Sequence, residues 1–251
     1  MDQTVRITAA IVLYKENIAE VTETIESFLQ VSISKQLILI DNSPTDILKN
    51  EFIHPEIRYL FVGENIGFGS AHNLILNSIN SEFHLILNPD VVFSPEVIPT
   101  LIKVLEEEEN VSFVTPKVRY PNKEMQKVCR KHPTTIGLLN RRLGFSNAGS
   151  FSDEYKDEDF EKIFYPDFIH GCFMLFKTVD FQSLKGFDVR YFLYFEDADI
   201  CRKIDNMGKS KLFYPKVEIT HQYRRGSSKS MKLFLWHTTS AIKYFLKWGF
   251  R

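Results

Sequence analysis

The sequence predicts an α/β fold with one mostly parallel central sheet and helices on both faces, in a single domain. Three observations carry this. Short apolar, β-branched-rich runs alternate with stretches whose apolar residues recur at helical spacing. The runs end in residues that stop strands and open turns. No low-complexity segment, internal repeat or linker divides the chain, and 251 residues at 44% hydrophobic and 25% charged can bury a substantial core.

The elements follow in order. Ile7 to Tyr14 reads as the first strand, and Ile18 to Leu29 as a helix with Val21, Ile25, Phe28 and Leu29 on one face. Gln36 to Ile40 is a second strand that stops at Asp41-Asn42-Ser43-Pro44. Ile57 to Val62 is a third strand, Ser70 to Asn80 a helix, and Phe83 to Leu87 a fourth strand that breaks at Asn88-Pro89-Asp90. Past Pro95 a helix runs to a glutamate cluster ending at Glu109, a solvated face. From Val111 to His170 the pattern is irregular, punctuated by Pro116, Pro121, Pro133, Gly137, Gly144 and Gly149, and reads as loop-rich. Phe168 to Phe176 is a strand, a turn passes through Gly186, a helix starts near Asp197, and Lys216 to Thr220 is a short strand. The chain divides into 1–110, where strands and helices alternate, 111–218, and a basic helical tail over 219–251.

The formal net charge of −1 supplies no general field for nucleic acid, so any anion site must be built locally. Cys129, Cys172 and Cys201 are far apart and form no CxxC pair, which reads as buried thiols in a reducing compartment. No signal-peptide pattern and no apolar run of bilayer-spanning length is present, so the expected location is cytoplasmic.

In open α/β sheets ligands sit beyond the carboxyl ends of the strands, where Asp41 and Asp90 both fall. Asp90 reads either as a turn residue capping the next helix or as a ligand for magnesium or manganese, which need only one or two protein carboxylates beside phosphate and water. The loop Glu64 to Asn73 carries Gly67 and Gly69 into a helix, so its amides could face an anion, although the spacing is not a dinucleotide fingerprint. Glu196, Asp197 and Asp199 set three acids in four residues after an aromatic run, more than helix capping requires. A carboxylate here could act as the base for a sugar hydroxyl, worth roughly a hundred- to ten-thousandfold in rate. His221 reads as a structural histidine or a metal ligand, and Arg224 and Arg225 could grip phosphate oxygens in a bidentate way.

Taken together, Leu13-Tyr14-Lys15, Ile40-Asp41-Asn42-Ser43, ENIGFGSAHN from Glu64, LNPDVVF from Leu87, GCFMLFK from Gly171, GFDVRYFLYFEDADICRKI from Gly186 and the His221 segment resemble glycosyltransferase family 2, in its rhamnosyltransferase-like subgroup. The resemblance spans nearly the whole chain. It implies a GT-A fold, meaning a Rossmann-like sheet followed by an acceptor-side region with terminal helices, and an inverting glycosyl transfer that uses Mn2+ or Mg2+. It implies that Asp41 contacts the donor base, with Tyr14, Asn65, Gly67, Asn73 and Asn88 also on the donor side. Asp90 is then the metal-binding acid of a DxD-like motif whose first position is Asn88, and His221 the second metal ligand. Asp197 corresponds to the catalytic base of the ED motif, and Glu196 and Arg130 to positions near the acceptor or diphosphate. Lys15 stands where many relatives carry asparagine. The implied partners are a nucleotide-sugar donor and a saccharide or lipid-linked acceptor, with no nucleic acid.

From Ile219 to Arg251 there are seven lysines and arginines and no acid, interleaved with Leu233, Trp236, Ile242, Tyr244, Phe245 and Trp248. This pattern fits either an amphipathic tail resting on an anionic membrane or a terminal helix packed on the domain with its lysines solvated. Two rival functions remain. One is a sugar nucleotidyltransferase, against which Tyr14-Lys15-Glu16-Asn17 lacks the glycine-rich loop such enzymes carry. The other is a non-catalytic sugar- or nucleotide-binding module, against which Asp90, Asp197 and His221 occur together.

Overall fold

The computed structural model describes residues 5–142, 154–155, 158–222 and 230–250. The first half is a run of βα units: β1 (Ile7–Leu13), α1 (Ile18–Leu29), β2 (Lys35–Asp41), β3 (Ile57–Phe61), α2 (Phe68–Asn73), β4 (Phe83–Leu87), β5 (Val91–Phe93) and α3 (Val97–Glu107). The second half contains β6 (Val111–Arg119), β7 (Cys129–Arg130), α4 (Thr135–Arg142), β8 (Phe168–Ile169), β9 (Phe173–Lys177) and α5 (Thr178–Ser183). It ends with α6 (Glu196–Asn206), β10 (Ser210–His221) and α7 (Met231–Trp248).

Eight strands form one sheet in the order β3-β2-β1-β4-β9-β6-β10-β5, and β7 pairs with β8 in a separate ribbon. Four of the seven pairings in the large sheet are parallel, with β9 inserted antiparallel between β4 and β6, and β5 antiparallel to β10. The central strands β1, β4 and β9 are buried almost throughout, as strands covered on both faces must be. Helix α1 turns Val21, Thr24, Ile25, Ser27 and Phe28 inward, and Asn17 caps it by accepting the Ala19 N–H at 2.9 Å.

Three expectations from the sequence change. The helix expected over Ser70–Asn80 stops at Asn73, where the Leu74 N–H bonds the Ala71 carbonyl three residues back, and a separate 3₁₀ turn follows over Leu76–Ser78. The strand expected from Phe168 to Phe176 is two strands, broken at His170-Gly171-Cys172, where the chain passes α6 so closely that a Cβ on Gly171 would lie 3.4 Å from that of Asp197. The stretch from Val111, expected to be irregular, opens with the nine-residue strand β6. Its Pro116 and Lys117 disguise it. Pro116 sits at a register shift against β10, where a missing amide costs little, and the buried Lys117 ammonium is paired with Glu161 at 2.5 Å. All three cysteines are buried free thiols, as expected.

Candidate active site

Strand β4 ends at Leu87, and Asn88-Pro89-Asp90 turns the chain into β5. Thr24 of α1 pins this turn by donating its hydroxyl to the Pro89 carbonyl at 2.8 Å and accepting the Val91 N–H at 3.1 Å. His221, the last residue of β10, stands opposite Val91 in the sheet. Its Nε2 lies 3.2 Å from Asp90 Oδ1 and 3.5 Å from the Asn88 amide nitrogen. Behind the ring, Nδ1 meets Gln126 Oε1 at 3.0 Å, and the Gln126 amide donates to the His221 carbonyl at 2.7 Å, fixing the imidazole from two sides. Burial by itself would lower the His221 pKa, but the adjoining Cys172 and the Asp90 carboxylate reverse the sign and raise it to about 10. A proton and a cation therefore compete for the same nitrogen.

This donor set fits a small divalent cation. One carboxylate, one imidazole held by an outer partner and one amide converge at the sheet's edge, which suits Mn2+ or Mg2+ with phosphate oxygens and water completing the sphere. Among the described residues no cluster of three or more His, Cys, Asp or Glu forms a self-sufficient metal cage.

Asp41 closes β2 and is fully buried. Its Oδ1 accepts the Ser43 N–H at 2.8 Å and its Oδ2 accepts the Tyr59 hydroxyl. Burial first, and then the hydrogen bond to Asp41, raises the Tyr59 phenol, which keeps its proton and stays a donor. Lys15 adopts a left-handed backbone (φ 57°), and its N–H donates to Ser43 Oγ at 2.9 Å. Beside it Tyr14 is exposed, with the Lys15 ammonium 5.5 Å from its ring centroid.

The glycine loop is drawn against a distant part of the chain. Asn65 Oδ1 accepts the Gly67 N–H at 3.1 Å, the Asn42 amide donates to the Gly67 carbonyl at 3.2 Å, and the Phe68 N–H donates to the Phe192 carbonyl at 3.1 Å. Gly67 has φ +89°, and a Cβ there would stand 2.3 Å from the Phe192 oxygen, so glycine is required. Asn73 gives its amide to the Phe187 carbonyl at 2.7 Å and accepts the Phe187 N–H at 2.9 Å. The loop thus clamps residues 187–192 and orients the approach to α6.

That approach is strained. Tyr194 and Phe195 both take the left-handed conformation (φ 70° and 68°) immediately before Glu196 opens α6. Asp197 Oδ1 accepts the Ala198 N–H at 2.8 Å, and Oδ2 accepts the Gly171 N–H at 3.3 Å with His170 Nδ1 3.4 Å away. The carboxylate lies in an open cleft lined by aromatic and polar groups, among them Phe168, His170, Tyr194, Glu196 and His237. Glu196 is buried and its Oε2 has no hydrogen-bond partner among the described residues; burial first, then the charge of Asp197, holds its carboxyl well above the usual range. Asp199 points away and is fully buried against α7, where Lys247 Nζ reaches its two oxygens at 2.7 and 2.9 Å and Trp248 Nε1 donates at 2.8 Å.

The structure brings Asn88, Asp90 and His221 together, and places Glu196 and Asp197 together in the cleft. Arg130 is in β7, opposite Phe168, with Nη1 3.2 Å from Glu154 Oε1. Arg224 and Arg225 lie outside the described residues. His170, His237, Gln126 and Thr24 escaped the sequence reading. His170 adjoins the glycine segment of a recognisable motif, but the others belong to no pattern short of the fold.

Residues 8–181 match the family model described as glycosyl transferase family 2. The chain belongs to that family. Among its relatives, the N-acetylglucosaminyl-diphospho-decaprenol L-rhamnosyltransferase of Mycobacterium tuberculosis is 26% identical over 201 residues, 74% of this chain and 66% of that protein. The rhamnosyltransferase WbbL of Escherichia coli is 26% identical over 220 residues, 83% of this chain and 81% of that one. The fold is also that of solved glycosyltransferases. GalNAc-T7, crystallised with UDP, GalNAc and Mn2+, superposes with TM-score 0.69 at 15% identity over 89% of this chain and 44% of its own. The mannosyltransferase PcManGT of Pyrobaculum calidifontis, in complex with GDP-Man and Mn2+, gives 0.60 at 18% identity over 90% of this chain and 59% of its own. The family 2 match ends at residue 181, before Asp197 and His221, so those two residues rest on the geometry above and on the motif resemblance.

Proposed function

We propose that this family 2 chain is a metal-dependent, inverting glycosyltransferase that moves a hexose from a nucleotide donor to a saccharide or lipid-linked acceptor in bacterial surface polysaccharide synthesis. It would work at the inner face of the membrane. Rhamnose from dTDP-rhamnose is the donor we favour, because two relatives are named rhamnosyltransferases; a UDP-linked hexose is the alternative. The observation that carries the reading is the Asp197 carboxylate, held by two backbone N–H groups in an open cleft on the same fold as the Asp90–His221 pair.

Asp197 takes the proton of an acceptor hydroxyl, whose oxygen attacks the anomeric carbon from the face opposite the leaving diphosphate, so the configuration inverts. The Gly171 and Ala198 N–H groups hold the carboxylate in place before acceptor arrives. Burial, and then the charge of Asp197, push the Glu196 carboxyl up, which disfavours a second negative charge in the cleft. Asp90 and His221, with Asn88 beside them, would hold a divalent cation, and a cation bound there neutralises charge developing on the departing diphosphate. Asp41 and Tyr14, at the ends of β2 and β1, would serve the nucleoside, with Asn65, Gly67 and Asn73 on the donor side of the glycine loop. The test is a panel of dTDP- and UDP-sugars with Mn2+, scored by thermal shift and by release of nucleoside diphosphate. Stabilisation by one donor and diphosphate release on adding acceptor are expected. Formation of nucleoside triphosphate and sugar 1-phosphate from a donor and added pyrophosphate would instead indicate a nucleotidyltransferase, and stabilisation without turnover of any donor a binding module.

A further inference from the structure

Helix α7 presents the wrong face to solvent for a helix that only packs on its domain. Its inner face buries Ser240, Ala241, Tyr244 and Phe245. The opposite line carries Met231, Leu235, Ile242 and Leu246, which are 74%, 54%, 51% and 70% exposed. Their spacings of four, seven and four residues confine them to a sector of about 60° on an α-helix. A polar outer face is the norm for a surface helix, and an apolar stripe there marks an interaction surface. The exposed Lys232 and Lys243 flank the stripe on one side; Lys243 donates to the Arg190 carbonyl at 2.6 Å, and Lys232 lies 4.8 Å from the Trp236 ring centroid. Phe250, past the Gly249 cap, is 66% exposed. His237, on the same helix, lines the Asp197 cleft.

We propose that the outer stripe of α7 is a docking face for an anionic lipid bilayer, with Met231, Leu235, Ile242 and Leu246 entering the headgroup–acyl boundary. This rests on the proposed transferase reading only for its purpose, since a face beside the cleft would bring a lipid-linked acceptor to Asp197. Charge selects the occupant. Helix α7 holds no acid, and with Lys247 paired inward to Asp188 and Asp199 its exposed charges are Lys232 and Lys243 beside the stripe, so a two-fold contact between copies of this face would bring like charges together. A bilayer with acidic headgroups supplies both the apolar depth and the negative charge the stripe lacks.

The experiment is co-sedimentation of the full chain at low salt with phosphatidylcholine vesicles and with vesicles of phosphatidylcholine and phosphatidylglycerol. The chain binds the anionic vesicles and releases them as salt is raised, and the Leu235→Glu/Leu246→Glu variant binds them about tenfold more weakly. Failure of the wild-type chain to bind, or equal binding by the variant, overturns the proposal. So does a wild-type dimer that the same double variant converts to monomer, since a second copy would then cover the stripe. Thermal shift with Mn2+ and donor is run on both proteins. Donor stabilisation shared by both, with vesicle binding absent, defeats the docking face and leaves the transferase reading standing.

Discussion

At the scale of single residues, the site separates two carboxylates by environment. Asp197 is held at the cleft by backbone N–H groups, whereas its neighbour Glu196 is buried with one oxygen unpartnered among the described residues and its carboxyl pushed up by that burial. Asp197→Asn preserves shape and removes the proposed base. Its expected effect is a fall in transfer of roughly a hundred- to ten-thousandfold with little change in donor binding, measured by initial rates beside donor thermal shift. Unchanged turnover would sink the assignment. Asp90→Ala should remove most of the donor stabilisation that Mn2+ confers, because ligand-linked stability falls with affinity. A manganese titration that superimposes on the wild type would count against Asp90 as a ligand.

At the scale of elements, α6 is fixed from both ends of the chain. The glycine loop holds residues 187–192 from one side, and α7 grips Asp199 from the other through Lys247, which also reaches Asp188 Oδ2 at 2.8 Å. Lys247→Met leaves the fully buried Asp199, among the described residues, with Trp248 and Tyr191 as partners and is expected to cost on the order of 3 kcal/mol. The melting temperature should fall by roughly 6–12 °C in a chain of this size. Adding Asp199→Asn should recover part of the loss, and strictly additive losses would show that the two residues are not coupled. None of this pairing was visible in the sequence, where Lys247 sits among tail lysines that read as solvated and Asp199 is one of three adjacent acids.

At the scale of the whole molecule, stability is linked to pH through two histidines inside the fold. His72 and His84 are fully buried with both ring nitrogens unpartnered among the described residues, His72 against Phe68 and Phe187 and His84 against Phe181. Burial lowers the pKa of both, His84 to about 3, and places them neutral in the native state. The unfolded chain takes up those protons from about pH 6.5 downward while the folded chain does not, so stability is full above that value and falls as pH drops. About 2 kcal/mol should be lost at His84 between pH 7 and pH 5. Denaturant curves at the two pH values measure it, and His84→Leu should shrink the difference while leaving the part that belongs to His72.

The sequence by itself determined the βα alternation, the strand ends that carry Asp41 and Asp90, and the order of motifs that fixes the family. These are local: period, turn chemistry and spacing are written along the chain. Tertiary structure alone decided that His221 meets Asp90 across the β5–β10 edge, that Gly171 and His170 flank Asp197, and that the outer line of α7 is apolar. Each joins residues far apart in the chain, or turns on which side of a helix the core covers. Only the packed fold supplies that, because hydrophobic burial is non-directional along the sequence and becomes a face only when neighbours are in place.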